Sequence, residues 1–153
     1  MTADLSLVVR RTIRAPVARV FEAWTQPEHL RKWWGPKGVI CIDPEVDLRV
    51  GGRLRLGNQL PDGKVMWITG EFEAVVPPSR LVYSWQLGAE KDAPLAPAAA
   101  RERVTVRFEP HDVGTEVIVV HERITSIVAR DGHEAGWFGC LDGLVELLES
   151  AGA

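Results

Sequence analysis

The sequence predicts a single α+β domain in which a curved antiparallel sheet wraps a long amphipathic C-terminal helix. Three observations carry this. From about residue 38 to 121 the apolar residues recur with period two and are punctuated by turn signals. Ahead of that run lie two short stretches of period 3.6, and behind it a long one. At 153 residues, with no linker and no internal repeat, the chain fits one domain spanning residues 1–153.

In order, Leu5, Leu7, Val9 and Ile13 alternate with polar neighbours and predict a half-buried first strand. Pro16 stands where a helix begins, and Val17, Val20, Phe21 and Trp24 follow as one apolar stripe. Thr25 and Glu28 have capping-box spacing. Leu30, Trp33 and Trp34 supply the buried side of a second short helix, which Gly35-Pro36 ends. Strands are expected near 38–48, 52–58, 64–75, 80–87, 102–109 and 115–121, joined antiparallel by short turns. Leu54 and Leu56 alternate with Arg53 and Arg55, and Val104, Val106 and Phe108 with Arg103, Thr105 and Arg107, giving each strand a dry face and a solvated one. Residues 88–100 are rich in Ala and Pro and lack periodic apolar anchors, which predicts a mobile loop or a lid.

Asp131 and Glu134 suit the cap and third position of a final helix running to about residue 150. Trp137, Leu141, Leu144 and Leu148 form its central stripe, flanked by Cys140 and Leu147 on one side and Phe138 and Val145 on the other. Gly132, Gly136, Gly139 and Gly143 draw a second stripe along the edge of this arc. Glycine inside a helix costs about 1 kcal/mol against alanine, so three of them forfeit roughly 2–3 kcal/mol. Either another backbone approaches this edge closely or the missing side chains leave room for a guest.

Composition narrows the function classes. Net charge is −3, so the basic footprint of a phosphate-tracking protein is absent and nucleic acid is not expected as a partner. No apolar run approaches the ~20 residues of a membrane span. A membrane partner is not expected, and the cytoplasm is the default location. Cys41 and Cys140 show no metal or redox spacing and read as buried thiols. No Gly-x-Ser-x-Gly elbow is present, and Cys140 lies about two helical turns from His133, too far for a direct pair. His29, His111, His121 and His133 have no ligand spacing, so neither a metal nor a cofactor is expected.

His133 and Glu134 fall within or beside the apolar arc of the final helix, where polar groups can orient a guest; the simpler and favoured roles are capping for Glu134 and a satisfied boundary histidine for His133. His121 ends the apolar run Val117–Val120 in the alternation that points inward. The six tryptophans serve first as core and second as aromatic walls, with Trp137 the foremost wall candidate, then Trp34 and Trp85. The expected ligand-binding set is Trp34, Trp85, His121, His133, Glu134, Trp137 and Leu141, with no catalytic residue assigned.

Several motifs follow one another along nearly the whole chain: Ala15-Pro16-Val17 with Val20-Phe21 and Trp24, then Pro27-Glu28-His29-Leu30 with Trp33-Trp34-Gly35. Asp47-Leu48-Arg49-Val50-Gly51-Gly52 and Val76-Pro77-Pro78-Ser79-Arg80-Leu81-Val82 come next, and Asp131-Gly132-His133-Glu134-Ala135-Gly136-Trp137 with Cys140-Leu141 closes the series. With the order strand, two short helices, six strands, long helix, these motifs resemble the START-like, polyketide-cyclase-like superfamily of helix-grip proteins. Within it the chain looks most like the activator of heat-shock protein 90 ATPase homologue-like family. The resemblance implies a cavity between sheet and final helix that takes lipids, polyketides or other apolar molecules. The expected function is therefore binding of a small hydrophobic or aromatic molecule. The alternatives are a chaperone-ATPase partner and a cyclase or dehydratase using His133, Glu134 or His121 as acid or base. An edge-strand homodimer would fit an open sheet.

Overall fold

A computed structural model describes residues 4–151. Strand β1 (Leu5–Ile13) leads into helices α1 (Val17–Thr25) and α2 (Pro27–Trp33). Strands β2 (Ile40–Val46), β3 (Arg53–Gln59), β4 (Val65–Val76), β5 (Arg80–Gly88), β6 (Glu102–His111) and β7 (Gly114–Ile124) follow, and α3 (Ile127–Ala151) closes the chain. All seven strands form one antiparallel sheet in the order β1-β7-β6-β5-β4-β3-β2. Register shifts in β1, between Ile42 and Glu45, and between Phe72 and Ala74 mark bulges, the device that bends a sheet toward the helix it holds. This is the helix-grip arrangement.

The core lies between the inner sheet face and α3. Trp137, Leu141, Leu144 and Leu148 are all buried, as the helical stripe requires, against Val104, Val106, Phe108, Val117 and Val119. Phe138 departs from the expected flank and is exposed.

Two helix starts differ from the sequence reading. Thr25 does not cap α2: its hydroxyl donates to the Phe21 carbonyl at 2.9 Å, and Pro27 occupies the first turn of α2 behind Gln26. Helix α3 begins at Ile127, with Ser126 Oγ accepting from the Ala129 amide at 3.0 Å. Ile127 and Val128 are exposed, so the first turn carries no apolar periodicity to betray it. Asp131 and Glu134 are therefore interior helical residues, not cap and third position.

The segment between β5 and β6 is strapped across the outer face of the sheet and is neither free of anchors nor placed as a lid over α3. Gln86 Nε2 donates to the Pro94 carbonyl at 2.9 Å and its Oε1 accepts from the Ala96 amide at 2.8 Å. Arg101 Nε donates to the Ala96 carbonyl at 2.7 Å, and Arg123 donates to the carbonyls of Ala98 and Ala99. Lys91 pairs with Glu45 at 2.6 Å and sits 5.5 Å from the centre of the Trp67 ring. Polar anchors of this kind leave no periodic trace in a sequence. On the outer face acids meet part of the arginine rows, with Arg55 and Asp92 3.7 Å apart, Arg101 and Glu71 3.5 Å apart and Arg103 and Glu73 3.0 Å apart, whereas Arg53 keeps buried guanidinium nitrogens without a hydrogen-bond partner among the described residues.

Candidate functional site

Strand alternation that sends Val104, Val106 and Phe108 inward also sends Glu102 inward, at the end of β6 where Trp85 of β5 is its cross-strand partner. On β7, His121 stands opposite Val104 and is fully buried. Above them, α3 presents His133 and, one turn on, Trp137. These four residues form a continuous polar chain, with hydrogen bonds from Trp137 to His121 to Glu102 and His133 in contact with the carboxylate. Trp137 Nε1 donates to His121 Nδ1 at 3.1 Å, and His121 Nε2 lies 2.7 Å from Glu102 Oε1. His133 Nε2 lies 3.2 Å from the same oxygen, and the two imidazoles stack with centroids 4.6 Å apart.

Donor and acceptor arithmetic fixes the tautomer of His121. An indole N–H only donates, so Nδ1 must carry a lone pair; in the neutral ring the proton is then on Nε2, pointed at the carboxylate. Burial pushes the His121 pKa down, against the pull of the Glu102 hydrogen bond, and so favours this neutral form. For Glu102, burial raises the carboxyl pKa, but hydrogen bonds from His121 and His133 and their charges outweigh it and hold it at about 2. Glu102 is thus an anion at neutral pH, held by the His121 N–H and with His133 Nε2 beside the same oxygen.

Glu102, His121 and His133 place three ligand-type atoms within 4.8 Å of one another, a juxtaposition that sequence spacing did not reveal. The expectation of no metal was argued from spacing along the chain, and these residues converge from three separate elements. The donor set nevertheless fits a hydrogen-bonded assembly better than a cation. A metal on His121 Nε2 would move the ring proton to Nδ1, where it would face the Trp137 N–H.

Beside this chain lies a pocket of about 340 Å³ between α3 and the inner ends of β3, β4 and β5. Trp34, Trp85 and Trp137 wall it together with Met66, Ile68 and Leu87, and it reaches the surface near the exposed Gly132 and Leu87. The volume falls within the range of about 300–1,000 Å³ usual for small-molecule sites. Trp137 stacks on Trp24 at 6.0 Å and packs edge-on against Trp34 at 5.5 Å, so the space around it is a partly filled pocket, not a wide internal cavity. Polar groups at this wall are few. Trp85 Nε1 is buried without a hydrogen-bond partner among the described residues, and Asn58 accepts from Trp34 Nε1 at 3.1 Å. A larger groove of about 1120 Å³ runs between α3 and the α2–β2 connection, but it is shallow and lacks this convergence of aromatic and hydrogen-bonding groups.

Of the expected binding residues, Trp34, Trp85, His133 and Trp137 line the pocket. His121 lies one layer behind it. Leu141 is fully buried in the core, one turn below Trp137, and does not reach the pocket. Glu134 turns away and faces Arg130 at 3.8 Å. Sequence reasoning missed Glu102, although continuing the alternation of Val104, Val106 and Phe108 by one step would have found an acid on the dry face. His29 lies by Glu22 and His111 at the end of β6 next to the β6–β7 turn, outside the site. Both cysteines are free and buried, and burial pushes the Cys41 thiol up to about 11 and that of Cys140 up to about 12, which leaves both protonated and inert.

The glycine stripe of α3 divides at the pocket. A Cβ on Gly139 would stand 2.6 Å from Pro36 Cβ, and one on Gly143 would stand 2.6 Å from the Trp33 carbonyl oxygen. Cβ atoms on Gly132 or Gly136 would meet nothing within 4 Å, and both residues border the pocket. Close approach and room for a guest therefore both operate, on different turns of one helix.

Comparison with known proteins agrees with this architecture. No curated protein matches the chain. A Nitrosomonas europaea protein of known structure is 30% identical, with a TM-score of 0.79 and 96% of each chain covered. A Chromobacterium violaceum protein is 25% identical, with a TM-score of 0.81 over 95% of this chain and 98% of its own. A Silicibacter pomeroyi protein, itself described as AHSA1, shares the fold at 24% identity, with a TM-score of 0.81 over 97% and 99% of the two chains. The model of one family, described as Activator of Hsp90 ATPase homolog 1-like protein, matches residues 14–149, and the chain belongs to that family, within the START-like superfamily whose fold commonly binds ligands.

Proposed function

We propose that the chain binds a small, flat, largely apolar molecule carrying a hydrogen-bond acceptor, seated between α3 and the inner ends of β3–β5. The observation that carries this reading is a pocket of about 340 Å³ walled by Trp34, Trp85 and Trp137 and left open on α3 at Gly132 and Gly136, with the Trp85 N–H buried beside it and, among the described residues, without a partner. A buried donor left unpaired costs about 1–3 kcal/mol, which an acceptor on a guest would recover. Burial of the guest's apolar surface, at roughly 25 cal/mol per Å², supplies the remaining drive. The two free buried thiols suit a reducing compartment, and the cytoplasm is the setting this reading assumes.

A panel of fatty acids, flavonoids and polycyclic aromatics tests it by thermal shift and indole fluorescence, since a ligand that binds only the folded state raises the melting temperature. Flavonoids and other acceptor-bearing aromatics should give the largest shifts. Gly136→Leu, which fills the pocket from a helix position with free space, should abolish them in a folded protein. Trp137→Phe should keep the wall but reduce the fluorescence response. Absence of any shift in the wild-type protein would defeat the reading. The chaperone partnership named in the family's description would then lead, to be tested by pull-down with purified chaperone.

A further inference from the structure

We infer that the pocket is also a site of proton transfer, in which His133, backed by the Glu102 carboxylate, removes a proton from carbon next to a carbonyl group on an aromatic or otherwise apolar frame. This rests on the binding reading above. Four observations lead to it.

First, His133 is the one member of the polar chain that both touches Glu102 and lines the pocket. Its Nε2 faces the carboxylate, and its Nδ1 has no protein partner among the described residues. The carboxylate 3.2 Å from Nε2 draws the ring proton to that side, which leaves the lone pair on Nδ1, as a general base requires. Second, Glu102 is itself fixed. His121 donates to it from below, and His121 is locked by the Trp137 N–H, so the carboxylate cannot swing away from His133 without stranding a fully buried imidazole. A carboxylate held against the far nitrogen orients the base and stabilises the imidazolium formed when it takes a proton. Third, the Trp85 and His133 rings stand edge to face with centroids 5.9 Å apart and both line the pocket, so the base works beside an apolar aromatic wall. Fourth, the open positions at Gly132 and Gly136 leave that volume clear on the α3 side.

The step balances within these groups. The C–H bond breaks and an N–H bond forms at His133 Nδ1. The electron pair becomes the C=C of an enolate as the carbonyl pair moves onto oxygen, and the imidazolium formed at His133, backed by the Glu102 carboxylate, offsets the charge. Return of the proton to carbon restores the carbonyl, at the same carbon for exchange or at a conjugated one for isomerisation. No oxidant or further reactant enters. His133 is the catalytic residue, whereas Glu102, His121 and Trp137 position it.

The test uses 2-tetralone, a flat aromatic ketone with acidic C–H bonds, in D2O. Exchange of its protons is followed by NMR, and its binding by indole fluorescence in the same samples. Wild-type protein should accelerate exchange above an equal concentration of free imidazole. His133→Gln, which keeps a donor toward Glu102, should lower the exchange rate of bound tetralone, read at saturating protein so that any change in affinity drops out, by about 10²-fold, the low end of what a positioned base supplies. Glu102→Gln should lower the turnover rate more than it changes affinity, and Glu102→Asp should restore part of it, a pattern that loss of packing alone would not produce. Melting temperatures identify variants that fail to fold, and His133→Asn then replaces His133→Gln. Binding without acceleration, or acceleration that survives loss of His133, overturns the inference while leaving the binding reading intact. Acceleration abolished by EDTA overturns it in favour of a metal at Glu102, His121 and His133. No binding and no exchange removes both readings.

Discussion

The two halves of α3 carry the same glycine spacing for opposite reasons. In the C-terminal half, Gly139 and Gly143 are where the Trp33–Pro36 segment crosses the helix, and a side chain there would strike Pro36 or the Trp33 carbonyl. In the N-terminal half, Gly132 and Gly136 face open space beside the pocket. One half gives up helix propensity for packing, the other for vacancy. The difference teaches that a stripe of small residues marks absence of a side chain, whereas its meaning depends on what the fold brings opposite.

Breaking the closed half should have the largest effect. Gly143→Leu meets a backbone oxygen that cannot yield, and should cost about 3 kcal/mol or more; Gly139→Leu, opposed mainly by a proline ring, should cost about 1–3 kcal/mol. Chemical denaturation measures both. If either variant gains the stability expected of a better helix former, the close approach is not there.

The polar end of the open half should respond next, to acid. The Glu102 carboxyl is held at about 2 against an ordinary value of 4.5, so its stabilising contribution is complete above pH 4.5 and is lost as pH falls toward 2. His121 acts in the same direction: its pKa is pushed below 6.5, so the unfolded chain takes up the proton first and stability declines as pH drops below that value. The melting temperature should therefore fall on acidification from pH 6.5. Glu102→Gln should flatten the lower part of that fall, by on the order of 1–3 kcal/mol, because a neutral amide has no proton to gain. A variant whose acid profile superimposes on that of wild type would place the stabilising charge elsewhere.

The smallest change sharpens the contrast from the other side. Gly136→Ala adds a Cβ where nothing stands within 4 Å and should stabilise the protein by up to about 1 kcal/mol, the propensity difference alone. The identical substitution at Gly143 should destabilise. Equal signs at the two positions, in parallel denaturation curves, would erase the distinction between the halves.

Most of the frame was legible in the sequence. Period-two alternation located the strands, the arc of Trp137, Leu141, Leu144 and Leu148 identified the buried face of α3, and His121 was expected to point inward. Less visible were features made of polar contacts. The strap between β5 and β6 is held by Gln86, Arg101 and Arg123 through carbonyls that any residue could supply. The first turn of α3 hangs on one serine hydroxyl. The Thr25 hydroxyl chose its own helix over the next, a choice that spacing cannot rank.

What the sequence by itself determined is which side of each element is dry, because burial of apolar area acts on every residue along the chain with the period of its own backbone. What only the tertiary structure decided is which polar residues on those dry faces meet. Glu102, His121 and His133 belong to β6, β7 and α3, and nothing local ties them together. The pairing of His121 with Val104, and of Glu102 with Trp85, sets the first contact, and the seating of α3 across the sheet sets the second. Register and helix placement are properties of the whole packed domain. The same holds for the glycines of α3, whose spacing is written in the chain but whose neighbours, a proline and a carbonyl at one end and an open pocket at the other, exist only once the helix is gripped.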